Sequence, residues 1–206
     1  MSRLPIRLIL TIVLAALSLT LLTWGLSPPA RSAYRQSVQP ARSGLQEVRL
    51  LDLDVPVTIR AGEVDQVHLT LEPGALAQLA SDPDVYTTHD VLAEARLDLE
   101  GMEISPLGTI SEALFPGQRV TFFWSVRPSE VGRFKGTAWF YLRFVPKNGG
   151  PERRQAISAQ AIEIESSTLF GLQAEPARQL GLAGVFISSL LGFSFLMDAL
   201  KWLRKR

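Results

Sequence analysis

The chain has 206 residues, 47% of them hydrophobic, and a formal net charge of +1; that length leaves room for one modest domain plus additional segments. It contains no cysteine, which excludes disulfides, thiol nucleophiles, Cys-ligated zinc and iron–sulfur clusters, so no cofactor of those kinds is expected. Residues 45–170 carry eighteen acids against eleven bases, and an acidic central region argues against nucleic acid as a partner.

The chain opens with a short basic stretch, 1–7, containing Arg3 and Arg7. From Leu8 to Leu26 there are nineteen residues without a charge. At 1.5 Å per residue such a helix covers roughly 28 Å, close to the ~30 Å hydrocarbon core of a bilayer. Residues 8–26 are therefore expected to be a transmembrane helix, with Trp24 as its interfacial anchor. A cleaved signal peptide is the competing reading. Ser27-Pro28-Pro29 would end its helix, and Ala30-Arg31-Ser32 offers a small-x-small cleavage site, although the apolar stretch exceeds a usual signal core. Residues 27–46 (SPPARSAYRQSVQPARSGLQ) carry no apolar period and read as a linker.

From residue 47 to 170 the pattern is period two, the signature of half-buried strands. Val67, Leu69 and Leu71 alternate with polar residues. So do Val91, Ala93, Ala95, Leu97 and Leu99, and again Val120, Phe122, Trp124 and Val126. Gly74–Ala80 suggests one helical turn. Ser81–Asp90 reads as a polar loop, in which Asp82, Asp84 and Asp90 are candidate oxygen ligands for Ca²⁺. Their spacing matches no established calcium motif, so a solvated acidic loop is the favoured reading. Pro128–Gly132 and Lys147–Pro151 are hairpin turns around the run Phe134–Val145, where Ala138, Phe140, Leu142 and Phe144 share a face. In the strand over 153–165 the apolar phase slips between Ala161 and Ile162, which suggests a bulge or a change of sheet. About seven short strands in this span predict a two-layer antiparallel sandwich. Its core should contain Leu69, Leu71, Leu97, Leu99, Phe122, Trp124, Phe140 and Leu142.

The stretch Trp124-Ser125-Val126-Arg127-Pro128, closed by Gly132 and followed by an aromatic-rich strand, resembles the W-x-V-x-P-x3-G pattern of bacterial membrane-anchored immunoglobulin-like sandwich modules. The match covers about twenty-five residues. It implies an immunoglobulin-like β-sandwich and supplies no catalytic residues. The cysteine pair of antibody domains is missing.

Residues 171–179 form a second linker, and 180–200 are expected to be a second transmembrane helix, charge-free from Leu180 to Met197. Gly184, Ser188 and Gly192 repeat every four residues along it, a small-residue face that lets helix backbones approach closely. Thr11, Ala15 and Ser18 make a similar stripe in the first helix. Asp198 stands one turn before Lys201, close enough to pair with it near the membrane edge. The basic tail 201–206 holds four Lys and Arg, against Arg178 alone before the helix. That bias places the C-terminus in the cytoplasm. The expected topology is two-pass in the cell membrane, with both termini cytoplasmic and the central domain outside.

Catalytic constellations are missing from the sequence. The two histidines, His68 and His89, stand on a strand and in the acidic loop. No G-x-S-x-G, H-E-x-x-H, P-loop or G-x-G-x-x-G run occurs. The reading is a non-enzymatic, extracytoplasmic structural or protein-interaction module. Its partners would be a protein and the lipid bilayer, with no small-molecule substrate implied. The alternative is a sensor or transducer working through partner transmembrane helices. The split of charge, thirteen acids and three bases over 45–105 against five acids and eight bases over 106–170, is open to two readings, a negative face that includes Glu94, Asp98 and Glu100 or a merely solubilising surface.

Overall fold

A computed structural model describes the backbone of residues 4–38, 49–74 and 83–203, and the side chains of 9–38, 49–74 and 85–193. The chain falls into two compact units, Pro29–Ser167 and a helical unit made of Met1–Pro28 with Thr168–Arg206.

The first unit is mainly β, and its strands follow from the alternation in the sequence. In chain order they are β1 (Arg31–Val38), β2 (Arg49–Pro56), β3 (Thr58–Arg60) and β4 (Asp65–Pro73), then the short helix α2 (Pro83–Thr88). After it come β5 (His89–Leu99), β6 (Met102–Ser105), β7 (Thr109–Ala113), β8 (Val120–Pro128), β9 (Gly132–Pro146) and β10 (Arg153–Ser167). One sheet has the order β1-β2-β4-β8-β6 and the other β3-β10-β9-β5-β7. Every pairing is antiparallel except that of β3 with β10.

The first long strand is split between the sheets. Val57 N donates to Ala30 O at 2.7 Å, while Val57 O accepts from Glu165 N at 2.9 Å. Pro56 precedes it and has no N–H to keep the chain in the first ladder. The strands β2-β4-β8-β6 against β10-β9-β5 reproduce the ABED and CFG sheets of a constant-type immunoglobulin domain. Two additions depart from that plan. β1 extends the first sheet beyond β2, and β7 is inserted after β6 to lie beside β5.

All eight expected core residues are buried. Trp124 is fully enclosed, stacked on Phe122 at 6.4 Å between ring centroids, and Phe122 meets Phe140 of the opposite sheet at 6.4 Å. Each such side chain contributes roughly 1.5–3 kcal/mol of apolar burial. Gly136 is required where β5 and β9 come together: a Cβ there would strike the Asp98 carbonyl and lie 2.9 Å from Leu99 Cα. The slip expected between Ala161 and Ile162 is not there, because the pairing with β9 runs on unbroken through both; Ala159 and Ala161 simply lie on the exposed face, and the register shift falls earlier, between Ala156 and Ser158.

Several expectations need correction. The stretch 27–46 is not wholly a linker, because Arg31–Val38 pairs with β2 along its whole length. Its side chains are almost all exposed, so an edge strand of this kind shows no apolar period. The polar loop 81–90 contains α2, with Pro83 at its first position, where a missing N–H costs nothing. The expected turn at 74–80 lies outside the described residues except for Gly74. β3, β6 and β7 are too short for alternation to reveal.

The helical unit contains α1 (Leu4–Leu26) and α3 (Ala174–Leu203). α3 thus begins inside the stretch read as a second linker. The two helices run antiparallel: Gly25 meets Arg178, Gly181 meets Leu22, and Gly184 meets Ser18. Arg178 Nε donates to Gly25 O at 2.7 Å, closing the C-terminal turn of α1. Within α1, Ile9–Leu26 is long and apolar enough to cross a membrane, and only 17% of it is buried. Side chains of α3 are described only to residue 193, part-way along its charge-free run.

Candidate functional site

Within the sandwich, the described residues singled out from the sequence are not gathered into one site. Asp82 and the side chain of Asp84 lie outside the described residues. Asp90 is exposed and pairs with Lys147 Nζ at 3.7 Å. Among the described residues no group of three or more His, Cys, Asp or Glu is placed to hold a metal ion. His68 sits beside Phe123, and His89 contacts Thr88 Oγ1 through Nδ1 at 2.9 Å.

Of the small-residue stripe in α3, Gly184 packs directly on Ser18, and Ser188 is buried with its Oγ donating to Val185 O at 3.0 Å. Gly192 has nothing within 4 Å of a Cβ position among the described residues. The packed seam instead continues toward the start of α3 through Gly181, Ala177 and Ala174.

Among the described residues the acids of 45–105 are mostly set against bases, some from β1 and some from the later half of the sequence. Arg31 pairs with Asp54 and Asp65, Arg35 with Asp52, Arg119 with Glu72, and Arg127 with Glu103. Asp98 pairs with Arg96 on its own strand. Glu94 departs furthest from expectation. Alternation assigns it to the water-facing side of β5, yet its side chain is only 5% exposed.

Glu94 is buried by its cross-strand neighbours. Its Oε2 lies 2.7 Å from Arg154 Nε, its Oε1 lies 2.9 Å from Arg143 Nε, and Ser111 Oγ donates to Oε1 at 3.3 Å. The Arg143 contact is off the hydrogen-bond direction, so its attraction is ionic. Arg154 also lies 3.9 Å from the centre of the Tyr141 ring, a cation–π contact. Tyr141 stacks in turn on Trp139, with centroids 6.2 Å apart and planes 13° from parallel. The result is a ladder on the outer face of the second sheet: Glu94, Arg154, Tyr141, Trp139. Sequence reasoning missed it because its members come from β5, β9 and β10, and only their registry makes them neighbours.

A second feature is a groove of about 510 Å³ between β1 and β10, where the sheets part. Its floor is apolar, with Leu51, Leu53, Leu69 and Phe140, and its lips are Tyr34, Gln36, Ser158 and Gln160. A hydrogen bond crosses the opening, from Ser158 Oγ to Gln36 Oε1 at 3.3 Å. β10 is joined to β3 only from Glu165 to Ser167. From residue 153 to 164 its outer edge has no strand beside it among the described residues. At the rim, the hydrogen bond to Asp52 and then that residue's charge hold the pKa of Arg35 above its usual value.

No family model matches the sequence, and no curated protein matches it either. Solved structures offer similarities of shape. One is a chain in the complex between Zinc 2-glycoprotein and Prolactin inducible protein from human seminal plasma, at 8% identity and TM-score 0.37, covering 66% of this chain and 93% of that one. Another is AggA, the major subunit of aggregative adherence fimbriae type I from Escherichia coli, at 11% identity and TM-score 0.30, covering 68% and 97%. Both scores are low, and the strand pairings themselves carry the description of the fold.

Proposed function

We propose that this chain is a two-pass membrane protein whose immunoglobulin-like sandwich stands outside the cytoplasm and works by binding a protein partner. The observation that carries the membrane part is the outward surface of the helical unit. Ile9, Leu10, Ile12, Val13 and Leu19 on α1, with Leu182, Phe186, Leu190 and Phe193 on α3, are each more than half exposed. Apolar area of this extent, on two antiparallel helices, is covered stably by lipid and not by water. The basic tail then sets the orientation.

The groove between β1 and β10 supports the binding part. An extended segment of a partner can add main-chain hydrogen bonds to the open edge of β10 while alternate side chains enter the apolar floor. A transducer working through partner helices is a second reading, favoured by Gly192 on α3, which no described residue covers.

Two experiments test the proposal in cells. Asn148→Cys should react with an impermeant thiol reagent and Arg206→Cys should not; labelling at 206 overturns the orientation. A photo-crosslinking residue at Gln160 should give one protein adduct that a residue at Glu130 does not give. Filling the groove with Ser158→Phe should abolish that adduct. An adduct that survives groove filling rules this surface out.

A further inference from the structure

The strand β7 leaves β5 after the Arg96↔Thr109 pair, whereas β5 runs on to Leu99. The chain between β6 and β7 crosses from one sheet to the other at this point. The uncovered end of β5, the start of β9 and this crossover enclose a cleft of about 610 Å³. Its volume lies within the range of small-molecule sites. The lining is of three kinds. Trp139 supplies an aromatic ring, Leu107 and Met102 supply apolar surface, and Arg96, Asp98, Glu100 and Lys135 supply charge. Leu107 is 83% exposed.

We infer that this cleft binds a neutral oligosaccharide. The first reason is charge balance: two cationic and two anionic side chains line it, and Arg96 Nε already lies 2.8 Å from Asp98 Oδ1. Such a set neither selects an anion nor a cation. It does offer planar donors and acceptors that can each bind adjacent hydroxyls in pairs. The second reason is the partly exposed Trp139 among them. A sugar ring presents an apolar C–H face bordered by hydroxyls, and an aromatic ring flanked by charged side chains matches both parts. The third is rigidity. Trp139 is the end of the ladder anchored by buried Glu94, so its ring is oriented before a ligand arrives, which lowers the cost of binding.

The test uses the full chain in a detergent without a sugar head group, because an alkyl glycoside would itself enter the cleft. Probes are cello-, chito-, xylo- and malto-oligosaccharides of six units, with inorganic sulfate and calcium as charged controls, followed by calorimetry. At least one oligosaccharide should bind, and Trp139→Ala should weaken it by about tenfold or more. Because Trp139→Ala could also loosen the ladder, Asp98→Asn and Arg96→Gln, both exposed, form the second arm. Each should weaken binding about threefold to tenfold with the unfolding midpoint unchanged. The groove variant Ser158→Phe should bind sugar normally, which separates this site from the protein-binding groove. Failure of all four oligosaccharides to bind overturns the inference, as does binding that survives Trp139→Ala or a stronger response to sulfate or calcium.

Discussion

Replacing Glu94 by Gln tests whether the ladder is a stabilising device or an incidental surface pairing. The exchange keeps the shape of the side chain and removes its charge. Two guanidiniums, Arg143 and Arg154, then converge on a neutral amide. Losing one partner of a fully buried ion pair costs about 3–5 kcal/mol, and of an exposed pair about 0–1 kcal/mol. Glu94 is 5% exposed, but Arg143 and Arg154 are 34% and 46% exposed, so water can solvate the stranded cations in part. The expected cost is therefore intermediate, about 2 kcal/mol, which lowers the melting temperature of a domain this size by about 6–8 °C. Thermal unfolding of the full chain in detergent, followed by near-UV circular dichroism, measures it. Arg96→Gln is the control, because the Arg96–Asp98 pair is exposed on both sides and should cost no more than about 0.5 kcal/mol. Glu94→Lys should be worse than Gln, since it places a third cation among the two. A Glu94→Gln protein that melts with the wild type would refute the reasoning.

Trp124→Ala should cost about 3–5 kcal/mol in denaturant unfolding, because it empties the centre of the core. Trp124→Phe should cost far less, since Trp124 Nε1 has no hydrogen-bond partner among the described residues to lose. Gly136→Ala should destabilise by about 2 kcal/mol or more, as the new methyl meets backbone on β5. Gly132→Ala, where a Cβ meets nothing within 4 Å, should change the unfolding midpoint little. Gly184→Leu should separate α1 from α3, whereas Gly192→Leu should not. Disulfide trapping between Ser18→Cys and Gly181→Cys, in a chain otherwise free of cysteine, distinguishes the two.

Much of the fold was legible in the residues. Val67 to Leu71, Val91 to Leu99, Val120 to Val126 and Ala138 to Phe144 each bury alternate side chains, as period-two burial on a sheet requires. The bulge in β10 was misplaced, since small Ala159 and Ala161 on the exposed face read as an inward apolar phase, while the register shift lies between Ala156 and Ser158. β1 was not legible, because Arg31–Val38 is an edge strand with little to bury. Its place is fixed by main-chain pairing with β2 and by Arg31 and Arg35 reaching Asp54 and Asp52.

By itself the sequence determined the elements that depend on local spacing: two long apolar segments, alternating strands, a core of named residues, and turns at Pro, Gly and Asn. Only the tertiary structure decided which charges meet. A count of acids along residues 45–105 allows a negative face, but the sheets set Asp54 against Arg31, Glu72 against Arg119, and Glu94 against Arg143 and Arg154. Strand registry also turned an apparently water-facing glutamate into the anchor of an aromatic ladder. The physical reason is range. Hydrophobic periodicity is written between residues two or four apart, whereas an ion pair or a ring stack forms between residues that only the completed sheets make neighbours.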